Sequence, residues 1–226
     1  IENSFKHPME IYRRNIYSTT VAMEAALMSN ATFLYMSSYV YGQPKYLPVD
    51  EKHPTDALNP YMGSKLAGEA MCQQINKMMG LNLLIIRCFT CYGPGQTGCQ
   101  LIPSVIESIR DKRTIRVNDP FPKRDYLFIN DFVSFINIVL ASEFSGCGVY
   151  NIGGGESFQN EEVAKMISVS AGNPVPIEIV SKPRKNDILE CFADISKAKR
   201  DFGWKPTVSF SLGVEECLKY YNLAMG

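Results

Sequence analysis

An apolar run in the middle of the chain, Leu83-Leu84-Ile85-Ile86, places the strongest constraint on the fold, because its residues are apolar at successive rather than alternate positions. A strand that is buried on both faces needs such a run, and strands of this kind lie at the centre of parallel sheets. A long helix is predicted before it, over about residues 61–79, and Gly80 suits the left-handed position that ends a helix. The sequence therefore predicts a helix leading into a central strand over about residues 82–89.

Helices and strands alternate along the rest of the chain as well. Apolar periodicity predicts helices over about residues 9–28, 103–111, 130–142 and 161–171, and strands over 32–36, 126–129, 148–152 and 176–180. Asn130 or Asp131 is expected to cap the third of these helices, and Asp194 and Ser211 are expected to cap two short helices near the end. The alternation predicts an α/β fold with a doubly wound parallel sheet, which binds ligands at the carboxyl ends of its strands.

Composition excludes several classes of partner. Lys and Arg total 23, as do Asp and Glu, so the net charge is zero and we expect no nucleic-acid partner. No apolar run approaches the roughly 20 residues of a membrane span, so we expect no membrane partner. Seven cysteines without a recognisable export signal predict free thiols and a cytoplasmic location.

Cys88 and Cys91 form a Cys-x-x-Cys pair, which could belong to a metal site. A zinc site needs about four ligands, and only Cys99 follows nearby. We therefore expect no metal, and interpret the pair as small apolar side chains beside a buried strand.

Tyr61 and Lys65 lie four residues apart at the start of a predicted helix, so their side chains share one face. A tyrosine has a pKa near 10, and a nearby ammonium favours the phenolate, which would make Tyr61 a usable base. The spacing alone is weak evidence, because chance gives about one match in such a chain. A second match, Tyr41 with Lys45, contains Pro44 and is predicted to be a turn.

Two segments around this pair are more specific. Residues 36–42 read Met-Ser-Ser-Tyr-Val-Tyr-Gly, and residues 59–69 read Asn-Pro-Tyr-Met-Gly-Ser-Lys-Leu-Ala-Gly-Glu. They resemble paired motifs of the extended short-chain dehydrogenases/reductases, in the branch of nucleotide-sugar epimerases and dehydratases. Further matches in chain order are Asn15 within residues 14–16, residues 87–94, Arg124-Asp125-Tyr126 with Asp131, residues 150–153, Arg184 with Asp187, and residues 194–206.

The resemblance implies a role for each matching residue. Tyr61 would take the proton of a sugar hydroxyl, Lys65 would tune Tyr61 and bind the nicotinamide ribose, and Ser37 would hydrogen-bond the reacting hydroxyl. The cofactor would be NAD or NADP, with NAD favoured, and the substrate a nucleoside-diphosphate sugar. The implied catalytic residues are Ser37, Tyr61 and Lys65; Asn15, Ser37, Tyr61, Lys65 and Arg87 are implied to bind the cofactor; Ser38, Thr90, Arg124 and Arg184 are implied to bind substrate.

The resemblance also implies a domain organisation. Residues 1–93 would form the carboxyl-terminal part of a Rossmann-type NAD-binding domain, whose first strands and Gly-rich phosphate turn precede the matching region in the family and are missing here. Residues 94–226 would mainly form a smaller substrate-binding lobe, with about 124–152 returning to the first domain, and residues 153–155 would form a tight turn near this lobe. Relatives pair their long helices across a two-fold axis, so we expect a homodimer.

Two departures from the family pattern bear on the reaction. Thr90 stands where the family usually has an Asn that meets substrate phosphate. Ser38 and Tyr39 stand where dehydratases carry the Asp and Glu that eliminate water, which favours epimerisation, at C4, over dehydration. A keto-sugar reductase on the same scaffold and a truncated, non-catalytic paralogue that binds a nucleotide sugar remain alternatives.

Overall fold

The computed structural model describes residues 2–98, 100–172, 175–181 and 187–223. Its helices are α1 (Glu2–Lys6), α2 (Pro8–Ser29), α3 (Pro60–Met79), α4 (Leu101–Arg110), α5 (Ile129–Ala141), α6 (Asn160–Ser170), α7 (Ser196–Phe202) and α8 (Phe210–Tyr220). Its strands are β1 (Phe33–Met36), β2 (Leu83–Cys88), β3 (Thr90–Tyr92), β4 (Ile115–Val117), β5 (Lys123–Arg124), β6 (Tyr126–Phe128), β7 (Cys147–Ile152), β8 (Phe158–Gln159) and β9 (Ile177–Ile179). Over these residues, none of the helices is long and apolar enough to cross a membrane.

Strands β1, β2 and β7 form a parallel sheet in that order, so β2 is central, as the apolar run predicts. Its successive residues face opposite sides of the sheet. Leu83 and Ile85 pack with residues of α2 and α3 on one side. Leu84 and Ile86 pack with residues of α5 and α7 on the other. Helices therefore cover both faces, and the predicted α/β class is confirmed.

A second core lies in the carboxyl-terminal part of the chain. Strand β3 pairs with β6 and β4 with β9, both in parallel, and β5 pairs with β8 in the antiparallel sense. Buried residues of α4, α6 and α8 pack against β4 and β6; they include Val105, Ile167 and Val214. The division at residue 93 stays a prediction, and the pairing of β7 with β2 is the contact through which the later part of the chain joins the first sheet.

The start of α3 sets the position of the predicted catalytic pair. Asn59 Oδ1 accepts a hydrogen bond of 2.9 Å from the backbone N–H of Met62, which caps the helix, and Pro60 occupies its first turn. Gly80 ends the helix with a φ of 72°, so the predicted stop is confirmed. Tyr61 and Lys65 consequently lie in the first two turns of α3.

The predicted caps of α5 are wrong. The helix begins at Ile129, so Asn130 and Asp131 lie inside it. The carboxylate of Asp131 instead accepts hydrogen bonds from the backbone and hydroxyl of Thr207 and from the backbone of Val208. The Asp131 carboxylate, which the local sequence predicts to cap α5, therefore bonds instead to a segment that is distant in sequence.

The caps of the last two helices also differ from the prediction. Ser209, not Ser211, caps α8 by accepting a hydrogen bond from Leu212. Asp194 accepts a hydrogen bond of 2.8 Å from the backbone N–H of Ser196, but Ile195 is the residue that directly precedes α7. These errors span one or two residues, because several neighbouring residues could serve as caps.

Candidate active site

Tyr61 and Lys65 project from the same side of α3, as their spacing predicts. Lys65 Nζ lies 5.8 Å from the centre of the Tyr61 ring. Tyr61 is half-buried, and its hydroxyl has no hydrogen-bond partner within the described residues. A partly accessible phenol beside an ammonium group has the position that proton transfer with a bound ligand requires.

Lys65 also connects α3 to the sheet. Its ammonium donates a hydrogen bond of 2.8 Å to the carbonyl oxygen of Met36, the last residue of β1. Burial lowers the pKa of Lys65, because desolvation disfavours the charged form. The pair therefore lies at the carboxyl end of a parallel strand, where open α/β sheets bind their ligands.

Ser37 follows β1 directly and belongs to a buried polar network. Its hydroxyl donates a hydrogen bond of 2.5 Å to Glu69 Oε1. Arg87 donates to the same carboxylate from Nε at 3.0 Å and from Nη2 at 2.6 Å, and from Nη1 to the hydroxyl of Tyr41. Tyr41 in turn donates to Asn151 Oδ1. The network joins α3, the end of β1 and strands β2 and β7.

Two of the residues that are predicted to bind the cofactor already form hydrogen bonds with protein groups. The Arg87 side chain is 8% exposed, and its three guanidinium nitrogens all bond to Glu69 or Tyr41. Asn15 Nδ2 donates to Ser64 Oγ at 2.7 Å, which fastens α2 to α3 one residue before Lys65. Contact of Arg87 and Asn15 with the cofactor stays a prediction.

Ser38 and Tyr39 differ in availability. Ser38 is half-buried, and within the described residues its hydroxyl has no hydrogen-bond partner. The Tyr39 hydroxyl donates a 2.7 Å hydrogen bond to the carbonyl of Gly42. Burial strongly raises the pKa of Tyr39, so this phenol stays protonated near neutral pH.

The predicted substrate residues Thr90 and Arg124 lie in neighbouring segments. The Thr90 backbone N–H donates to the carbonyl of Asp125 at 3.0 Å, next to Arg124 in sequence. Arg124 Nη2 lies 2.6 Å from Asp187 Oδ1, and its Nη1 donates to the carbonyl of Ile188. Arg184 lies outside the described residues, shortly before Asp187.

Sequence reasoning named Glu69 and Asp125 only as members of matching motifs and gave neither a role; both are buried. Glu69 follows Lys65 by four residues and Tyr61 by eight, so helical spacing alone places it on the face of the catalytic pair. Asp125 stands between the predicted substrate ligand Arg124 and a buried strand, where an unpaired charge would be unfavourable. The position of each residue could be recognised in the sequence, but the groups to which their carboxylates bond depend on the tertiary fold.

The described residues contain no cluster of three or more His, Cys, Asp or Glu side chains that could hold a metal ion. Cys88 and Cys91 are both free thiols and half-buried. Cys99 lies outside the described residues.

The chain is similar to known proteins over nearly its whole length. UDP-glucose 4-epimerase from Bos taurus is 26% identical over 97% of this chain and 70% of its own length. The structure of UDP-glucose 4-epimerase from Bifidobacterium longum in complex with NAD+ and UDP is 28% identical; the match covers 97% of this chain and 72% of that one, with a TM-score of 0.88. The structure of RMD from Pseudomonas aeruginosa complexed with NADPH is 27% identical, covers 98% and 77%, and has a TM-score of 0.89.

A Rossmann-type α/β fold with a Tyr-Lys pair at the carboxyl end of a parallel strand defines, with these relatives, a nucleotide-sugar epimerase/dehydratase of the short-chain dehydrogenase/reductase type. The family model described as GDP-mannose 4,6 dehydratase matches residues 1–217. The chain belongs to this family, and the sequence-based recognition is confirmed.

Proposed function

We propose that this protein epimerises a nucleoside-diphosphate sugar, at C4, through a transient keto intermediate, with NAD or NADP as cofactor. The observation that carries the proposal is the Tyr61–Lys65 pair at the carboxyl end of β1. The relatives include UDP-glucose 4-epimerases, one of them bound to NAD+ and UDP.

The residues at this end of the sheet suit a nicotinamide ribose. Lys65 supplies an ammonium and Tyr61 a phenol that can hydrogen-bond ribose hydroxyls, with Asn15 close behind on α2. A nicotinamide held there would supply hydride chemistry, in which the hydrogen of the sugar carbon leaves with both electrons of its C–H bond and later returns with them. The two steps cancel, so epimerisation consumes no cofactor.

The protein's own residues would move the proton. Tyr61 takes the proton from the sugar hydroxyl as the keto group forms and returns it after the sugar has turned. Lys65 favours the phenolate by its positive charge. Ser37 or the neighbouring Ser38 supplies a hydroxyl beside the reacting oxygen.

The side chains after Ser37 favour epimerisation over dehydration. Elimination of water needs an acid and a base beside the sugar. Ser38 carries no titratable group, and burial raises the pKa of the Tyr39 phenol further above its ordinary value near 10, so neither residue replaces a carboxylate base. The Tyr39 hydroxyl is also engaged with Gly42.

Product analysis tests this function. The product of the natural gene is purified, its NAD(H) and NADP(H) content is measured after mild denaturation, and UDP-, GDP- and dTDP-hexoses are supplied in turn. We expect either C4 epimer to give the same equilibrium mixture without added reductant. A 4-keto-6-deoxy product would indicate a dehydratase, and stoichiometric consumption of NADPH would indicate a reductase. Absence of both cofactor and turnover would indicate a non-catalytic binding protein.

We also propose that the protein is a homodimer that pairs α2 and α3 across a two-fold axis, and that it is cytoplasmic. Tyr17, Val21 and Met28 are exposed and share one face of α2, and Met78 and Met79 are exposed at the end of α3. The free thiols of the described cysteines support a reducing compartment. Light scattering should give twice the mass of one chain, and Val21→Glu should reduce it to a single chain; a monomeric wild type contradicts the dimer.

A further inference from the structure

Asp125, between β5 and β6, is fully buried, and backbone N–H groups surround its carboxylate. Oδ1 accepts a hydrogen bond from Gly154, at 2.5 Å, and Oδ2 accepts from Gly155 at 3.1 Å and from Ala193 at 2.9 Å. Burial raises the pKa of Asp125 to about 6, and these hydrogen bonds act in the opposite direction. One side chain thus fastens the loop after β7 to the segment before α7.

The loop is shaped to approach Asp125 closely. A Cβ atom at Gly153 would lie 2.5 Å from Asp125 Oδ2 and 2.8 Å from the Cβ of Ala193. A Cβ atom at Gly154 would lie 2.6 Å from the carbonyl oxygen of Tyr126. Only residues without a side chain fit at these two positions, so the glycines and Asp125 form one packed unit.

The backbone around Asp125 connects the predicted substrate residues. Its carbonyl accepts the hydrogen bond from Thr90. Arg124, the preceding residue, holds the side chain of Asp187 and the carbonyl of Ile188. Displacement of Asp125 would therefore move Thr90, Arg124 and the segment after residue 186 together.

We propose that Asp125 is a positioning residue for the diphosphate of the substrate: it touches no phosphate itself, but fixes the backbone that carries Thr90 and Arg124, the residues predicted to bind the phosphates. A guanidinium binds phosphate through a planar fork, so its affinity depends on the orientation that its backbone imposes. The inference rests on the proposed function, because it takes a nucleoside diphosphate as part of the substrate.

Asp131 provides a matched control. It is also a buried aspartate, 2% exposed, whose carboxylate accepts three hydrogen bonds, but its partners are Thr207 and Val208. Asp125→Asn and Asp131→Asn each replace one acceptor oxygen by a donor, and both should lower the melting temperature. Only Asp125→Asn should weaken nucleotide binding.

The experiment measures the affinity of the holoenzyme for free UDP, GDP and dTDP by calorimetry, together with kcat and KM on the sugar nucleotide. For Asp125→Asn we expect Kd and KM to rise about tenfold or more, as misplacement of charged hydrogen bonds predicts, with kcat nearly unchanged. For Asp131→Asn we expect Kd to stay within about twofold, because its carboxylate bonds to Thr207 and Val208 and not to the loop or backbone that Asp125 holds.

Gly153→Ala is a second variant that keeps the charge of Asp125 and pushes the loop away from it, so it carries the test if Asp125→Asn fails to fold. It should raise Kd in the same direction. Equal Kd shifts in the Asp125 and Asp131 variants, or a loss confined to kcat, overturn the inference. If the wild type binds none of the three nucleotides, the proposed function fails as well. If the wild type binds one of them, and Asp125→Asn and Gly153→Ala both bind it with the same Kd as the wild type, only this inference fails.

Discussion

The hydroxyl oxygen of Ser37 lies 2.5 Å from Glu69 Oε1, in the interior of the protein. The Ser37 hydroxyl donates this hydrogen bond and the carboxylate oxygen accepts it. The predicted catalytic hydroxyl is therefore directed at Glu69, and a substrate oxygen that accepts its hydrogen must compete with that carboxylate.

Glu69 is expected to matter for stability through Arg87, whose buried guanidinium it neutralises. Glu69→Gln should lower the free energy of unfolding by about 3–5 kcal/mol, because it leaves a buried charge without its partner. Adding Arg87→Met should recover much of the loss, since the unpaired charge is then gone. Exposed Glu24 on α2 is the control, and Glu24→Gln should change stability by less than about 0.5 kcal/mol. Urea unfolding measures all four proteins, and equal values for Glu69→Gln and Glu24→Gln would contradict the expectation.

Tyr61→Phe separates catalysis from folding. The substitution removes only a hydroxyl that has no protein partner within the described residues, so the melting temperature should stay close to that of the wild type. Turnover should fall by about 10²- to 10⁴-fold, the usual contribution of a positioned proton donor or acceptor. Tyr17→Phe, at an exposed position of α2, should leave turnover unchanged. Substantial epimerase activity in Tyr61→Phe would remove Tyr61 from the mechanism.

The long elements of the fold are readable from the sequence because their signals are local. The apolar run of β2 and the stop of α3 at Gly80 predict both elements to within one residue, and with them the position of Tyr61 and Lys65. Strands β5 and β8 were missed, because strands of two residues have no periodicity and depend on pairing with each other across the fold.

In the candidate site, too, local relationships could be predicted from the sequence and tertiary contacts could not. Tyr61 and Lys65 lie on one helix, so their spacing fixes their relationship. Arg87 and Glu69 are 18 residues apart and meet only because α3 packs against β2. The sequence therefore points to Arg87 as a conspicuous cation near the site, but it cannot show that the guanidinium is already paired.

Lys65 should make the folded protein less stable at neutral pH than an apolar residue would. Burial lowers its pKa, so the folded state binds this proton less tightly than the unfolded state does. The penalty is present in full at a pH below the lowered pKa and declines between that value and the ordinary pKa of lysine. Lys65→Met should therefore raise the melting temperature at pH 7 while abolishing turnover, and this gain should shrink towards about pH 10.5, where a free lysine also loses its proton. Exposed Lys77→Met, on the same helix, removes a charge that is not buried and should not raise the melting temperature at pH 7. A Lys65→Met protein that is less stable than the wild type throughout this pH range would show that burial of the Lys65 charge does not destabilise the fold.

The two thiols of the Cys88 and Cys91 pair should differ in reactivity. The hydrogen bond between them lowers the pKa of Cys91 and, together with burial, raises that of Cys88, because one thiol donates to the other's sulfur. The thiolate is the reactive form, so iodoacetamide should alkylate Cys91 at a lower pH than Cys88. Cys88→Ala removes the donor and should shift the alkylation profile of Cys91 to higher pH, as read by peptide mass mapping.

Buried Cys217, whose pKa burial raises to about 11, should stay unmodified in the folded protein and serves as the control. Coincident profiles for Cys88 and Cys91, or no shift in Cys88→Ala, would show that the two sulfurs titrate independently.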